Sequence, residues 1–270
     1  MIGVYLSGTG NTRHCVEKLV SLLDASAKSV PLESPELIAM LKEQDIIVLG
    51  YPTQFSNAPF MVRDFIKNNA ALWKEKKVFC VNTMGLFSGD GTGCAARLLR
   101  KYGAEILGGL QIKMPDSVCD NKLLKKDMEE NRQLVKAADA RIEQAAEQMK
   151  EGNYPKEGLS FIAHLKGLFG QRLWFYRKTT GYTDKLKISA ACVGCGLCSR
   201  ECPMGNIRIE ENRAVAGDRC TMCYRCISLC PKQAITLLGD EVYEQCRYEK
   251  YKSCFMENSR LKSGKGIERL

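Results

Sequence analysis

Eight of the fourteen cysteines fall into two stretches with identical spacing, and this repeat restricts the possible fold more than any other feature. The stretches are CVGCGLCSRECP at 192–203 and CTMCYRCISLCP at 220–231. Each reads C-x2-C-x2-C-x3-C-P, which predicts a small domain with internal pseudo-twofold symmetry. The first residues, MIGVYLSGTGN, show no signal-peptide pattern, so we expect a cytoplasmic protein. Clustered cysteines in that compartment indicate metal or redox chemistry rather than disulfides.

The same spacing is found in bacterial-type ferredoxins with two [4Fe–4S] clusters, and residues 186–239 resemble that family. Three thiolates of one run wrap one cluster, and the fourth cysteine, too distant to close on it, ligates the other cluster. Zinc is the alternative, but structural zinc sites usually use separated C-x-x-C pairs. The predicted ligand sets are Cys192, Cys195, Cys198 and Cys230 for one cluster, and Cys220, Cys223, Cys226 and Cys202 for the other.

Residues 1–152 alternate short apolar runs with amphipathic helical patterns. The runs predicted to be strands are MIGVYLS, AKSVPL, DIIVLGY, KKVFCVNTM and AEILGGLQIKM. A helical pattern follows each run, and the last helix is expected over 121–150. Runs that are apolar on both faces are typical of parallel strands covered by helices. The sequence therefore predicts an α/β fold with a doubly wound, parallel, five-stranded sheet, followed by a small α+β domain.

The turn after the first predicted strand, SGTGNT, has the composition of a phosphate-binding loop. Its two glycines let backbone N–H groups curl around an anion, its three hydroxyl groups add donors, and the next helix begins there. No lysine follows as in a Walker A loop, so a ligand with a single terminal phosphate is favoured. An ordinary polar turn without a ligand is the alternative. The predicted phosphate-binding residues are Ser7, Gly8, Thr9, Gly10, Asn11 and Thr12.

With this loop in this position, the N-terminal part resembles flavodoxin, a family that holds the phosphate of FMN on an S/T-x-T-G-N-T loop. The resemblance implies a flavodoxin-like sheet order of 2-1-3-4-5, with FMN at the switch between strands 1 and 3. It also implies that the loops after strands 3 and 4 flank the flavin ring. Neither loop contains the Trp that often stacks on the ring in that family, and Tyr51, Phe55 or Phe87 are offered instead. The implied cofactor-binding residues are Tyr51, Pro52, Thr53, Gln54, Phe55, Asn57, Thr83, Met84, Gly85 and Phe87.

Three other segments carry weaker patterns. GTGCAA at 91–96 fits G-x-G-x-x-A but begins several residues after its strand, so we expect the flexible end of a flavin loop rather than a nicotinamide site. In the basic linker at 153–185, apolar residues recur at helical spacing. We expect this stripe to pack between the two domains, and contact with a membrane surface is the alternative. The extension at 240–270 is expected to contain a packing helix at 240–256, and Cys246 with Cys254 is a weak candidate redox pair.

As a whole, the chain resembles the flavodoxin–ferredoxin fusion proteins of anaerobic bacteria and archaea. The resemblance implies an electron-transfer protein that uses two [4Fe–4S] clusters and FMN to link one- and two-electron redox partners. No set of catalytic residues can be assembled, and the alternatives are an FMN-dependent reductase of a quinone-like acceptor and a redox sensor or assembly module. The net charge of +9 favours an acidic partner such as a small ferredoxin, or a flavoenzyme. Nucleic acid is not expected, because the basic residues are dispersed without a recognised motif.

Overall fold

The computed structural model describes residues 1–252, and its N-terminal part is a parallel sheet between two helical layers. The strands are β1 (Ile2–Tyr5), β2 (Ser29–Pro31), β3 (Ile46–Pro52), β4 (Lys77–Met84) and β5 (Glu105–Lys113). All neighbours are parallel, in the order β2-β1-β3-β4-β5. The helices are α1 (Asn11–Leu23), α2 (Leu37–Lys42), α3 (Phe60–Asn68), α4 (Gly91–Lys101) and α5 (Met128–Lys150). The predicted doubly wound sheet and its strand order are confirmed.

Successive residues of the central strands enter two different cores. On β3, Ile47 and Leu49 pack with Val62 of α3, whereas Val48 packs with Ile142 of α5, and all five side chains are fully buried. Both faces of the sheet are therefore covered, which explains why its strands read as unbroken apolar runs. In such a fold a crevice lies beyond the carboxyl ends of the strands, next to the point between β1 and β3 where the strand order reverses.

The last helix of this domain begins at Met128, seven residues later than expected. The Asp127 side chain accepts the N–H of Glu130 at 2.7 Å, and the Glu130 side chain accepts the N–H of Asp127 at 3.0 Å. This reciprocal cap satisfies two groups that a helix start leaves unpaired. Before it, Asn121 caps a short 3-10 turn at Lys122–Leu124. The composition of 121–127 is helical, but the cap sets the boundary.

Residues 153–185 do not form one amphipathic helix. Residues 154–157 first run beside β5, where the Gly109 N–H donates to the Pro155 carbonyl at 2.7 Å. The chain then forms α6 (Phe161–Gly167), a π-helical turn at Leu168–Arg172 and α7 (Tyr176–Thr179). Gly167 packs so closely on Asp90 that a side chain would overlap it.

The expected burial of the apolar stripe in this segment is wrong for four of its five residues, and only Leu165 is partly buried. Ile162, Phe169, Leu173 and Tyr176 are each half exposed or more. The reason is that the segment docks through its polar side, which is drawn onto the buried carboxylate of Asp90. Within residues 1–252, no helix is long and apolar enough to cross a bilayer.

The cysteine repeat folds into a small α+β domain. Its elements are β6 (Lys187–Ile188), α8 (Leu197–Glu201), β7 (Ile207–Glu210), β8 (Arg213–Ala216), α9 (Arg225–Leu229) and β9 (Ile235–Thr236). Two antiparallel pairs form, β6 with β9 and β7 with β8. Ile207 and Ile235, each five residues after the fourth cysteine of its repeat, are both buried in the core of this domain. The core thus reflects the internal repeat.

The C-terminal extension joins the two domains. Of the helix expected at 240–256, the structure has only α10 (Tyr248–Tyr251), and residues 253–256 lie outside the described part. Cys246 enters the core of the cysteine-rich domain, whereas Tyr251 enters the core beneath α5. The Tyr248 ring stacks on the His14 ring with 4.2 Å between the centroids. The backbone N–H of Tyr248 donates to the Thr9 carbonyl at 2.8 Å. The extension therefore fixes the phosphate-loop end of the first domain to the second domain.

Candidate functional site

Each predicted set of four cysteines surrounds its own small cavity of about 20 Å³. In both cavities the fourth cysteine comes from the other repeat, as the spacing predicts. Among residues 1–252, no three His, Cys, Asp or Glu side chains are arranged to hold a single metal ion. The cavities are lined by Cys192, Cys195, Cys198 and Cys230, and by Cys202, Cys220, Cys223 and Cys226.

The two cysteine runs share an unusual backbone. Gly194 and Gly196 have φ of 64° and 76°, and the corresponding residues of the second run, Met222 and Tyr224, have φ of 55° and 61°. These left-handed residues curl the chain tightly around the thiols. Glycine adopts this conformation freely, whereas Met and Tyr do so only where the surroundings hold them.

Backbone N–H groups point at the sulfur atoms in both halves of the repeat. The Asn206 N–H lies 3.3 Å from Cys202 Sγ, and the Ala234 N–H lies 3.3 Å from Cys230 Sγ, each four residues after its cysteine. N–H groups in these positions are able to donate to a sulfur atom that ligates a cluster, and such hydrogen bonds tune the potential of the cluster.

A separate cleft of about 210 Å³ opens beyond the carboxyl ends of β1, β3 and β4. All but three of the predicted FMN-binding residues line it. Gly10 instead lies at the start of α1, and Asn57 closes a tight turn with Gln54. Tyr51 is fully buried, and its hydroxyl donates to the Gly91 carbonyl at 2.7 Å. Tyr51 is thus a core residue, because β3 continues to Pro52. The predicted residues lining the cleft are Ser7, Gly8, Thr9, Asn11, Thr12, Pro52, Thr53, Gln54, Phe55, Thr83, Met84, Gly85 and Phe87.

The phosphate-loop end of the cleft retains unused donors. Thr9 and Thr12 are engaged, since their hydroxyls lie 2.9 Å from Ser117 Oγ and 2.8 Å from Thr83 Oγ1. Ser7 Oγ is buried without a hydrogen-bond partner among the described residues. In the same part of the chain, the N-cap residue of α1 is Gly10, so no side chain caps the helix. An uncapped helix start beside an unpaired hydroxyl fits an anionic group such as a phosphate.

The cysteine-rich domain forms one wall of this cleft. Met222, Cys223 and Tyr224 line it, and a Cβ at Gly8 would overlap the carbonyl oxygen of Cys223. Cys223 and Tyr224 also line the cavity of the second cysteine set. That set therefore adjoins the cleft.

Three further contacts hold the cysteine-rich domain in this place. Gln54 Nε2 donates to the Thr221 carbonyl at 2.7 Å, and Arg225 Nη2 donates to the Ser7 carbonyl at 2.9 Å. Arg225 also forms a half-buried ion pair with Glu33 at 2.5 Å. The contacts reach from the phosphate loop, the β3 loop and the end of β2 to a single turn of the cysteine repeat, so the wall is fixed at several points.

The loop after β5 supplies cleft residues that the sequence analysis did not identify. Asp116 lines the cleft beside Gly85, and its Oδ1 accepts the Val118 N–H at 2.8 Å. Burial raises the pKa of the Asp116 carboxyl above its usual range. The position of Asp116 after the last strand was the signal that could have identified it, because loops at the carboxyl ends of neighbouring parallel strands meet at one site.

A buried carboxylate, that of Asp90, holds the loop after β4 in place. Asp90 is fully buried and lies 2.6 Å from Arg97 Nη2, 2.8 Å from Arg172 Nη2 and 2.9 Å from His164 Nδ1. Arg172 ends the π-helical turn, and its neighbour Gln171 reaches the cleft wall. Asp90 thus couples the linker segment to the loop that borders the cleft.

The G-x-G-x-x-A sequence is not the flexible end of that loop, because it forms the buried first turn of α4. A side chain on Gly93 would overlap the Gly158 carbonyl, and Thr92 Oγ1 donates to the Glu157 carbonyl at 2.6 Å. Gly93 thus serves close packing against residues 157–158, and Gly91 packs against the Asn82 side chain.

The candidate redox pair of Cys246 and Cys254 is not tested, because Cys254 lies outside the described residues. Within those residues, the Cys246 N–H donates to Cys119 Sγ at 3.4 Å. The Cys119 thiol and the Lys125 ammonium, 3.1 Å from Cys246 Sγ, lower the pKa of Cys246 below its usual value. The contact anchors the C-terminal extension to the loop after β5.

Replacing Asp90 by asparagine is expected to lower the free energy of unfolding by about 3 kcal/mol, since it leaves buried arginine charge uncompensated. Urea unfolding followed by circular dichroism measures the change. Asp240→Asn is the matched control, because Asp240 pairs with Lys187 at 2.7 Å while its side chain is 94% exposed. An exposed pair contributes under about 1 kcal/mol, so equal effects of the two substitutions would contradict the assignment.

Comparison with protein families identifies residues 191–234 as a 4Fe-4S dicluster domain. The chain is 41% identical over 58 residues to one component of the ion-translocating oxidoreductase complex of Methanosarcina acetivorans, covering 21% of this chain and 22% of that protein. It is 31% identical over 68 residues to an uncharacterized ferredoxin of Methanocaldococcus jannaschii, covering 23% of this chain and 43% of that one. The chain therefore spans less than half the length of these relatives. The dicluster match supports the two predicted [4Fe–4S] clusters.

Solved flavodoxins align with the N-terminal part. The two-electron-reduced flavodoxin of Megasphaera elsdenii is 23% identical with a TM-score of 0.41, covering 54% of this chain and 99% of that one. Oxidised flavodoxin 2 of Bacillus cereus is 21% identical with a TM-score of 0.40, covering 56% and 97%. The strand order of the sheet itself is flavodoxin-like. The chain thus joins a doubly wound domain with the flavodoxin-like strand order to a 4Fe–4S dicluster domain.

Proposed function

We propose that this protein is a cytoplasmic electron-transfer protein that links one-electron and two-electron redox partners through two [4Fe–4S] clusters and FMN. One observation carries the proposal: Cys223 and Tyr224 line both a cysteine cavity and the cleft. A chain with two unrelated cofactor domains on a tether would have no need of such a shared wall. Joining the sites in one chain also replaces a diffusional search by a high effective concentration.

In this proposal the two cysteine sets defined above ligate the clusters, and the cleft holds FMN. Ser7 and the N-terminus of α1 would bind the phosphate, and the loops at 52–55 and 83–87 would border the ring. When bound, a [4Fe–4S] cluster exchanges one electron, and a flavin takes up one or two. Of the aromatic candidates, Phe55 and Phe87 line the cleft, and the Phe55 ring already packs on Phe175 with 4.7 Å between centroids.

The polypeptide would provide fixed surroundings for these groups. The N–H groups aimed at sulfur set the electrostatic field around the thiolates, and that field tunes cluster potentials. The contacts of Gln54 and Arg225 hold the dicluster domain against the cleft. Because the wall is fixed before any partner binds, little reorganisation accompanies transfer.

The other cysteine set is suited to receive an external partner. Cys195 is exposed, unlike Cys223, and the residues around it include the exposed side chains of Arg200, Arg213 and Lys232. Lys232 lines the cavity of this set, and Arg200 Nη1 donates to the Cys195 carbonyl at 3.4 Å. Positive charge around an exposed cluster favours an acidic redox protein and raises its association rate at low salt.

The test is to purify the full chain without oxygen and to quantify iron, sulfide and FMN. We expect two four-iron clusters and one flavin per chain, and reduction of both chromophores by a reduced acidic ferredoxin at a rate that falls with added salt. NADH and NADPH should leave the spectrum unchanged. Iron without flavin would contradict the proposed function. A reduction rate that is insensitive to ionic strength would contradict the proposed acidic partner.

A second candidate function is an FMN-dependent reductase of a small quinone-like acceptor, and Asp116 is the observation that favours it. A cleft-lining carboxyl with a raised pKa is able to keep a proton for delivery to a reduced acceptor. Steady-state turnover with a soluble quinone separates the two functions. Saturable turnover that Asp116→Asn slows at unchanged flavin content would favour the reductase.

A further inference from the structure

One rim of the cleft carries a dense group of exposed apolar side chains on α6, the π-helical turn and α7. Trp174 is 81% exposed and Phe161 is 73% exposed. Exposure on this scale means that the rings project from the surface. Large exposed apolar side chains grouped on one short segment are a feature of interaction sites in proteins. The patch, here called the 161–178 surface, comprises Phe161, Ile162, Phe169, Leu173, Trp174 and Tyr176.

Polar groups beneath this surface are already paired within the segment. The Trp174 indole N–H donates to the Phe169 carbonyl at 3.0 Å. Backbone donors follow the same rule, since the Leu173 N–H reaches the Leu168 carbonyl at 3.1 Å and the Phe175 N–H reaches the Gln171 carbonyl at 2.9 Å. The apolar tips are therefore able to leave water without stranding these donors, a requirement that an apolar medium imposes strictly.

The segment that carries the apolar tips is predominantly basic. Residues 161–187 contain six Lys or Arg, and Asp184 is the single acidic residue. Arg172 is used internally on Asp90, whereas Lys166, Arg177 and Lys178 are exposed. Projecting Trp and Phe side chains combined with exposed basic residues fit an anionic lipid surface, where rings enter the headgroup region and ammonium groups meet phosphates. The segment 253–270 has four Lys or Arg against two Glu, so its charge does not complement this surface.

We propose that the 161–178 surface attaches this protein peripherally to an anionic membrane surface. Binding would use the aromatic and aliphatic tips for insertion and the basic side chains for attraction. The attachment goes beyond electron transfer and does not depend on it. It would also bring the cleft close to the lipid, because Phe87, 41% exposed, lines the cleft, and Gly170 packs beside its ring.

The experiment uses the cofactor-loaded full chain with vesicles of phosphatidylcholine alone or with one third phosphatidylglycerol. We expect flotation with the anionic vesicles and at least tenfold weaker binding to the neutral ones. Tryptophan emission gives an independent readout, because Trp73 is fully buried and Trp174 is the exposed indole. Brominated lipid should quench the emission of Trp174.

Matched variants decide whether this surface is responsible. Phe169→Ser with Trp174→Ser, and separately Arg177→Glu with Lys178→Glu, should each weaken binding by roughly tenfold or more. Leu123→Ser and Lys74→Glu are the controls, since Leu123 is 92% exposed, the Lys74 side chain is 79% exposed, and both lie outside the 161–178 surface. Failure of the unaltered protein to bind anionic vesicles would overturn the proposal. So would binding that persists in both double variants, or a self-associated state that Phe169→Ser with Trp174→Ser dissolves.

Discussion

Replacing Cys223 by alanine is expected to halve the iron content, to about four atoms per chain, and to change the flavin as well. Cys223 lines the cavity of one cysteine set and the cleft, and its carbonyl packs on Gly8 of the phosphate loop. Loss of the cluster should loosen that turn, so FMN should dissociate more readily and its absorption bands should shift. Iron analysis, flavin fluorescence and the visible spectrum measure these effects. Reduction of the flavin by a protein donor should be abolished.

Cys195→Ala is the matched control for this experiment. Cys195 belongs to the other set and is exposed, with no part in the cleft wall. We expect the same loss of iron, with unchanged FMN binding and an unchanged flavin spectrum. If both substitutions altered the flavin equally, or if neither did, the assignment of the Cys223 set as the one beside the flavin would be wrong.

Gly8→Ala is expected to separate the two domains and to weaken FMN binding. Its new Cβ would overlap the carbonyl oxygen of Cys223, and neither backbone is free to move because Arg225 holds the Ser7 carbonyl. Overpacking of this kind costs about 1–3 kcal/mol. Limited proteolysis of the linker and titration with FMN measure the two consequences.

Gly181→Ala provides the comparison, because no described atom outside its two chain neighbours lies within 4 Å of the position of its Cβ. It should leave both the protease resistance and the FMN affinity unchanged. A Gly8→Ala protein that keeps its protease resistance would show that the contact between phosphate loop and dicluster domain is not maintained in solution.

Periodic features of the sequence predicted most of the architecture. Runs such as DIIVLGY are apolar at nearly every position, and only a strand covered on both faces accommodates that pattern. The cysteine sets were predictable because ligand spacing within a run limits which thiols reach one cavity. In both cases a local pattern has one geometric solution.

Features that depend on contacts between distant segments were not predictable. Tyr51 was expected at the flavin ring, but it is buried because β3 extends one residue beyond it. Asp116 carries no motif and reaches the cleft only through the strand order. The apolar stripe of α6 and α7 faces outward because Asp90, far earlier in the chain, draws the polar side inward. Periodicity identifies the two faces of a helix and leaves open which face docks.

Different residues occupy the left-handed positions in the two copies of the cysteine repeat, which implies different structural roles for the copies. Where the first copy has Gly194 and Gly196, the second has Met222 and Tyr224 in a conformation that costs a non-glycine residue about 1 kcal/mol or more. Tyr224 offsets part of this conformational cost, because its hydroxyl donates to Asp120 of the flavodoxin-like domain at 2.9 Å. The second copy thus relies on a contact with the flavodoxin-like domain, whereas the first copy has glycines at these positions and needs no such contact. Cut from the chain, the dicluster domain would retain this strain without its compensation, so the fusion is a matched pair rather than two exchangeable modules.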